Sequence, residues 1–274
     1  MYRYVLYVAL AISTLVLPLQ RAEAAVLVGY WNFEESSGDT VFDQSGFGND
    51  GQLTGATRAG GKVGSGLSFD GSGGVTIPNS PSLDSLPGGF TLEAWILPTA
   101  YPLGNSDFGT IYFKTDRNNR VDMLHFQVGD NRNVPTTEGR LYAAMNGLAN
   151  QGLGFEGIGP RTVELNEWHF VAWTYDESAQ RFYDNGVQVF SAPFTDPWLG
   201  NHEVLQIGQH RQLPQNANFI GMIDEARVYR GALGHDEILR DMNGPVISEL
   251  SSFFLLGSGL LGLAGCRRRG FSSF

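Results

Sequence analysis

WHFVAWTYDESAQRFYDNGVQVFS, running from Trp168 to Ser191, reads as three β-strands joined by two turns. Strands are expected at Trp168–Tyr175, Gln180–Tyr183 and Val187–Ser191. Asp184-Asn185-Gly186 separates the last two, and Asn-Gly tolerates the positive φ that a two-residue hairpin turn demands. The first strand carries large apolar groups on both parities. Such a strand lies in the middle of a sheet with both faces covered, or turns one face to a ligand.

The same punctuation continues on both sides. Short aromatic and β-branched runs between Gly, Asn, Asp and Ser clusters predict an all-β fold. Upstream strands are expected at Val26–Phe33, Gly66–Phe69, Val75–Ile77, Phe90–Leu97, Thr110–Phe113, Leu124–Val128 and Arg140–Met145. Downstream ones are Val204–Ile207 and Phe219–Tyr229. Gly147 to Gly159 reads as a Gly-rich surface loop. One short helix is expected, His235 to Met242, stopped by Gly244-Pro245.

The ends read differently from this middle. Arg3, the apolar run Val5–Leu19 and the small-x-small Ala22-Glu23-Ala24 have the order of a secretory signal peptide, cut before Ala25 or Val26. Near the other end, Phe253–Ala264 is apolar and is followed by Cys266-Arg267-Arg268-Arg269. Extended back to Ser251, the run is near the lower limit for a membrane-spanning helix, and the arginines would stay on the cytoplasmic side. The expected organisation is a signal peptide (1–24), one globular domain (25–244) and a linker with a C-terminal hydrophobic anchor (245–274). The domain is therefore expected outside the membrane or in an extracellular matrix, with the membrane as a partner through the C-terminal helix.

With 28 acidic and 18 basic residues the chain carries a formal charge of −10. Five of the bases (Arg3, Arg21, Arg267, Arg268 and Arg269) lie in the terminal segments, so the middle is more acidic still. A field of that sign repels nucleic acid and anionic lipid. Cys266 is the single cysteine, so the domain has no disulfide, and a domain of this size can bury enough apolar surface without one.

Four segments, in order, resemble the laminin G-like branch of the concanavalin A-like jelly-roll superfamily. They are Tyr30–Glu35 with Val41–Gly51; Gly66–Gly71 running into Phe90–Ile96; Glu167–Tyr175 with its hairpin; and Gly221–Tyr229 with Ala232-Leu233 and the short helix. The resemblance implies an antiparallel two-sheet jelly-roll sandwich over about residues 26–240. The C-terminal tail resembles a bacterial PEP-CTERM sorting signal, although Pro-Glu-Pro is absent and Pro245-Val246-Ile247-Ser248-Glu249-Leu250 stands in its place. That resemblance implies a Gram-negative cell and an exosortase-like sorting protease as partner.

Three kinds of site are weighed. Calcium takes six to eight hard oxygen ligands, and the loop Asp43–Gly51 concentrates oxygens. The resemblance brings Asp224 beside this loop, so Asp43, Asn49, Gly51 and Asp224 are the expected ligands of a structural Ca²⁺. The bland alternative is a turn capped by Asp43, with Asp224 bonded to backbone. A sugar site pairs an aromatic plate with hydrogen-bonding groups. Tyr112, His125, Gln127, Arg140 and Tyr142 lie on strands expected in the concave sheet, and Trp198 sits in a loop. Trp31, Trp95, Trp168 and Trp173 read as core.

Catalysis is the weakest reading. Related jelly-roll glycosidases carry carboxylates at alternate strand positions, about 5 Å apart as retaining hydrolysis requires. Asp224 and Glu225 are adjacent, and adjacent strand residues face opposite sides. Asp70-Gly71-Ser72 has no triad partners, His202-Glu203 lacks a second zinc histidine, and Arg227 and Glu237 read as surface charges. The expected function is non-catalytic binding of a glycan or extracellular matrix component. The alternatives are a structural, adhesive surface protein and a glycoside hydrolase.

Overall fold

The structure is a computed structural model. It describes residues 24–100, 109–115, 124–129, 139–145, 155–196, 198, 200–210 and 217–244. The expected signal peptide up to Glu23, the C-terminal run and most of the loop from Gly147 lie outside the described residues. No helix among the described residues is long and apolar enough to cross a membrane.

In chain order the strands begin β1 (Val26–Trp31), β2 (Thr40–Val41), β3 (Gly51–Thr54), β4 (Thr57–Gly60), β5 (Ser65–Asp70) and β6 (Gly74–Ile77). A four-residue helix, α1 (Pro81–Asp84), precedes β7 (Phe90–Pro98), β8 (Gly109–Lys114), β9 (Leu124–Val128) and β10 (Arg140–Met145). Then come β11 (Phe155–Arg161), β12 (His169–Tyr175), β13 (Ala179–Asp184), β14 (Val187–Pro193), β15 (Leu205–Ile207), β16 (Ile220–Arg230) and α2 (His235–Asn243).

Two antiparallel eight-stranded sheets form a sandwich. The first has the order β14-β13-β12-β7-β16-β5-β4, with β1 also paired to β16. The second has the order β11-β10-β9-β8-β15-β6-β3-β2. β12 lies between β13 and β7 and is buried at every position, so its two-sided apolar pattern belongs to a central, covered strand. Asn185 and Gly186 take φ of 50° and 78°, the left-handed pair that the hairpin needs.

Between the sheets, Trp173 packs edge-on to Phe90 at 4.8 Å and lies 5.9 Å from Phe126 of the facing sheet. Burying each such ring contributes about 2–3 kcal/mol. Tyr112 spans the sandwich. Its hydroxyl donates to the carbonyls of Glu93 at 2.7 Å and Arg227 at 3.1 Å, on neighbouring strands of the opposite sheet. A second apolar cluster lies on the outer face of the first sheet, where Ile238 of α2 packs with Trp95, Phe170, Tyr183 and Tyr229.

One irregularity shapes this face. β16 pairs with β5 through Ile223 and with β1 from Ala226 onward, so its partner changes at Asp224-Glu225. The register against β7 slips between Asp224 and Arg227, and Glu225 takes φ of 52°. This is a β-bulge. It breaks the alternation expected from the sequence and lets the charges of Asp224 and Glu225 act on each other.

Candidate functional site

Strand register on the second sheet lines up a row perpendicular to the strands. Ala144 pairs with His125, His125 with Phe113, Phe113 with Gln206, Gln206 with Thr76, and Thr76 with Gln52. A second row beside it joins Tyr142, Gln127 and Thr110. Alternation sends Leu124, Phe126 and Val128 into the core, so His125 and Gln127 face outward. Phe113 tilts against His210 at 4.0 Å and meets His125 edge-on at 5.2 Å, while Tyr142 meets His125 at 6.5 Å.

Apart from Ala144, the described side chains of these two rows are polar or aromatic. Oε1 of Gln127, Oε1 of Gln206 and Oγ1 of Thr110 are buried and accept or donate no hydrogen bond among the described residues. Each unsatisfied group costs about 1–3 kcal/mol, so a matching donor or acceptor from outside has a large gain to make. Burial pushes the His125 imidazole well below its usual range, helped by His210, and burial takes His210 down to about 4. Both rings are therefore neutral at pH 7.

A pH dependence follows. The folded pKa of His210 is depressed, so the unfolded chain binds the proton first. The share of stability that comes from this ring is complete above about pH 6.5 and is lost as pH falls toward 4. The His210 contribution is about 3 kcal/mol when fully expressed. His210→Phe keeps the packing on Phe113 and is expected to flatten that slope in urea melts between pH 4.5 and 7. An unchanged slope would count against the buried neutral ring.

The expected sugar-binding residues divide. His125, Gln127 and Tyr142 stand on the outward rows. Arg140 begins β10, next to the edge strand β11, and its Nη1 donates to the carbonyl of Gly159 at 3.0 Å. Tyr112 and Trp198 point inward: Tyr112 bridges the sheets, and Trp198 is 4% exposed and packs 6.1 Å from Phe90 in the core. A register slip between Thr110 and Tyr112 turns Tyr112 inward and leaves Phe113 outward. Phe113, Thr110, Gln206 and His210 were missed, although Gln206 between Leu205 and Ile207 carried the alternation that marks an outward position.

The four oxygen donors expected for calcium serve as two separate anchors. Asp43 accepts the N–H groups of Tyr30 at 3.0 Å, Ser45 at 2.9 Å and Asn49 at 2.9 Å, and the Ser45 hydroxyl at 2.8 Å. Asn49 donates to the Val28 carbonyl at 2.6 Å and to Ser82, its Oδ1 accepts the Ser80 hydroxyl, and its backbone carbonyl takes the Trp31 indole at 2.8 Å. Gly51 is bare because a Cβ there would lie 2.5 Å from Val75.

Asp224 is fully buried and accepts the N–H of Val63 at 2.9 Å and of Glu225 at 2.8 Å. Burial raises its pKa to about 7. Asp43 holds the first loop to β1, whereas Asp224 holds the 61–64 turn to β16. The lone pairs a cation needs are directed at N–H donors, so the set as arranged does not fit a calcium cage.

Arg227, read as a surface charge, is fully buried on the outer face of the first sheet. Its Nη2 bonds Glu225, and its Nη1 lies 3.6 Å from Glu93. Its guanidinium also lies 4.8 Å over the Tyr30 ring, and the Tyr30 hydroxyl donates to Glu225 at 2.9 Å. Flanking Ala226 and Val228 fill the inner side, so alternation places Glu225 and Arg227 together outside.

Two antiparallel sheets with a polar, aromatic-lined row on one outer face define a lectin-like jelly-roll sandwich. The chain belongs to the concanavalin A-like lectin/glucanases superfamily, whose laminin G-like family model matches residues 69–239, more than half of its length. Among solved structures it is similar to domain 4 of an extracellular arabinanase from Geobacillus stearothermophilus, in complex with arabinotriose. The two share 21% identity with a TM-score of 0.61, over 80% of this chain and 100% of that one.

The binding domain of Paraclostridial Mosquitocidal Protein 1 is also similar, at 17% identity and a TM-score of 0.60, over 79% of this chain. So is Trypanosoma rangeli sialidase in complex with the inhibitor DANA, at 17% identity and a TM-score of 0.56, again over 79% of this chain. The match spans 52% of the former and 32% of the latter. No protein of curated function matches the sequence.

Proposed function

We propose that this chain is an exported, non-catalytic domain that binds a glycan on the outer face of its second sheet. The observation that carries this reading is the row itself. Buried amide oxygens of Gln127 and Gln206 and the Thr110 hydroxyl lack partners among the described residues, beside the aromatic plates of Phe113 and Tyr142. Sugar hydroxyls supply donors and acceptors, and their C–H faces stack on such rings. The row is buried, so binding must first uncover it. The arabinotriose complex of a similar domain supports a glycan partner. The signal-peptide pattern and the arginine-ended apolar run support export and membrane tethering, with an exosortase-like protease as the processor.

The test is titration of the full chain against arabinan, other neutral polysaccharides and acidic ones, with hydrolysis followed in the same samples. Gln206→Ala and Phe113→Ala are each expected to weaken glycan binding at least about tenfold, by about 1.4 kcal/mol or more, without generating reducing ends. Glycan affinity that both variants leave intact would remove this face from the function. Hydrolysis lost on replacing one carboxylate would establish an enzyme instead.

A further inference from the structure

α2 rests on the outer face of the first sheet through fully buried Ile238 and half-buried Met242. One buried residue of the helix is not apolar. Asp241 is 8% exposed and accepts the Tyr229 hydroxyl at 2.6 Å. Nearby on β7 is Glu93, fully buried, whose two carboxyl oxygens have no hydrogen-bond partner among the described residues.

The charged and titratable groups on this outer face come from β16, β1 and α2, and Tyr112 of β8 reaches the Glu93 backbone from between the sheets. β16 supplies Asp224, Glu225, Arg227 and Tyr229, β1 supplies Tyr30, and α2 supplies Asp241. Lys62, from the turn before β5, lies 4.3 Å over the Trp95 ring. Arg227 is engaged with Glu225, and its Nη1 stops 3.6 Å short of Glu93. Glu93 and Glu225 thus share one buried guanidinium, and Asp241 adds a third carboxyl group beside Glu93. If all three ionise, two negative charges remain uncompensated, and burying them is costly.

We infer that protonation of Glu93 holds α2 against the sheet and that its ionisation releases the helix, forming a pH-operated latch where the chain leaves the sandwich. Removing α2 carries Asp241 away from Glu93 and opens the buried group to water, which relieves the repulsion. Burial raises the Glu93 carboxyl well above its usual range; Arg227 opposes that shift and Asp241 adds to it. A raised folded pKa means that the stabilisation is complete in acid, below the ordinary glutamate value, and is lost as pH rises through the folded value.

Hydrogen exchange of the full chain tests the latch, with protection factors corrected for the intrinsic pH dependence of exchange. Between pH 5 and 8.5, protection of the α2 amides is expected to fall about tenfold or more while that of β12 holds, as sub-global opening of one element predicts. Asp241→Asn keeps an acceptor for Tyr229 and removes one charge, so its α2 profile is expected to be shallower than the parent's. Glu93→Gln, permanently neutral, is expected to be flat, and Asp241→Asn is expected to add nothing to it. Unchanging α2 protection in the parent protein, or an equal fall in both variants, would overturn the latch.

Discussion

Arg227→Leu is expected to cost the fold about 3–5 kcal/mol, because it strands the buried Glu225 carboxylate without its cation. Glu225 loses its ion-pair partner, and Glu93, itself fully buried, loses the nearest positive charge. The Tyr30 ring loses the guanidinium stacked above it. In urea the midpoint should fall by roughly 1–2 M, given slopes of about 2–3 kcal/mol/M for a domain of this size. Adding Glu93→Gln and Glu225→Gln to Arg227→Leu neutralises the stranded acids and should restore much of the loss. Buried ion pairs replaced as a set are often near neutral, whereas one broken partner is not. A single Arg227→Leu variant within about 1 kcal/mol of the parent would mean that the cluster is hydrated in solution.

The sandwich was legible where strands alternate cleanly or are apolar on both faces. Leu124–Val128 and Arg140–Met145 fall at the expected positions, as does the Asn185-Gly186 turn. β11 was not legible, because Phe155-Glu156-Gly157-Ile158-Gly159-Pro160-Arg161 has the composition of a loop and pairs only through tertiary context. β2, β3 and β4 are short and largely polar, so little in them distinguishes strand from turn.

The site was harder to read than the fold, since it depends on parity and a bulge reverses parity. The slip after Thr110 moves Tyr112 from the ligand face to the core and leaves Phe113 outside. The slip after Asp224 lets Ile223 and Ala226 both face the core and leaves Asp224 and Glu225 between them, where strict alternation had set those two acids on opposite faces. Trp198 shows a related limit. Its neighbours Pro197 and Gly200 look like exposed loop, yet the side chain fills the space beside Phe90, Leu83 and Leu205.

Asp43→Ala is expected to lower stability by about 3–4 kcal/mol, and by the same amount with or without EDTA. One carboxylate takes four donors here, three of them backbone N–H groups from Tyr30, Ser45 and Asn49. Hydrogen bonds to a charged acceptor contribute about 1.5–3 kcal/mol each, though four on one side chain do not add. The loss propagates, because the loop that Asp43 closes presents the Asn49 carbonyl to the fully buried Trp31 indole and the Asn49 amide to Val28. Asp43→Asn keeps one acceptor oxygen and puts an amide N–H against an N–H, so about half the loss is expected. Chelation separates this anchor from a calcium ligand. If the carboxylate works by holding N–H groups, EDTA leaves the parent melt unchanged and the gap between parent and variant stays constant. If it works by holding a cation, EDTA lowers the parent toward the variant, and added Ca²⁺ raises the parent alone.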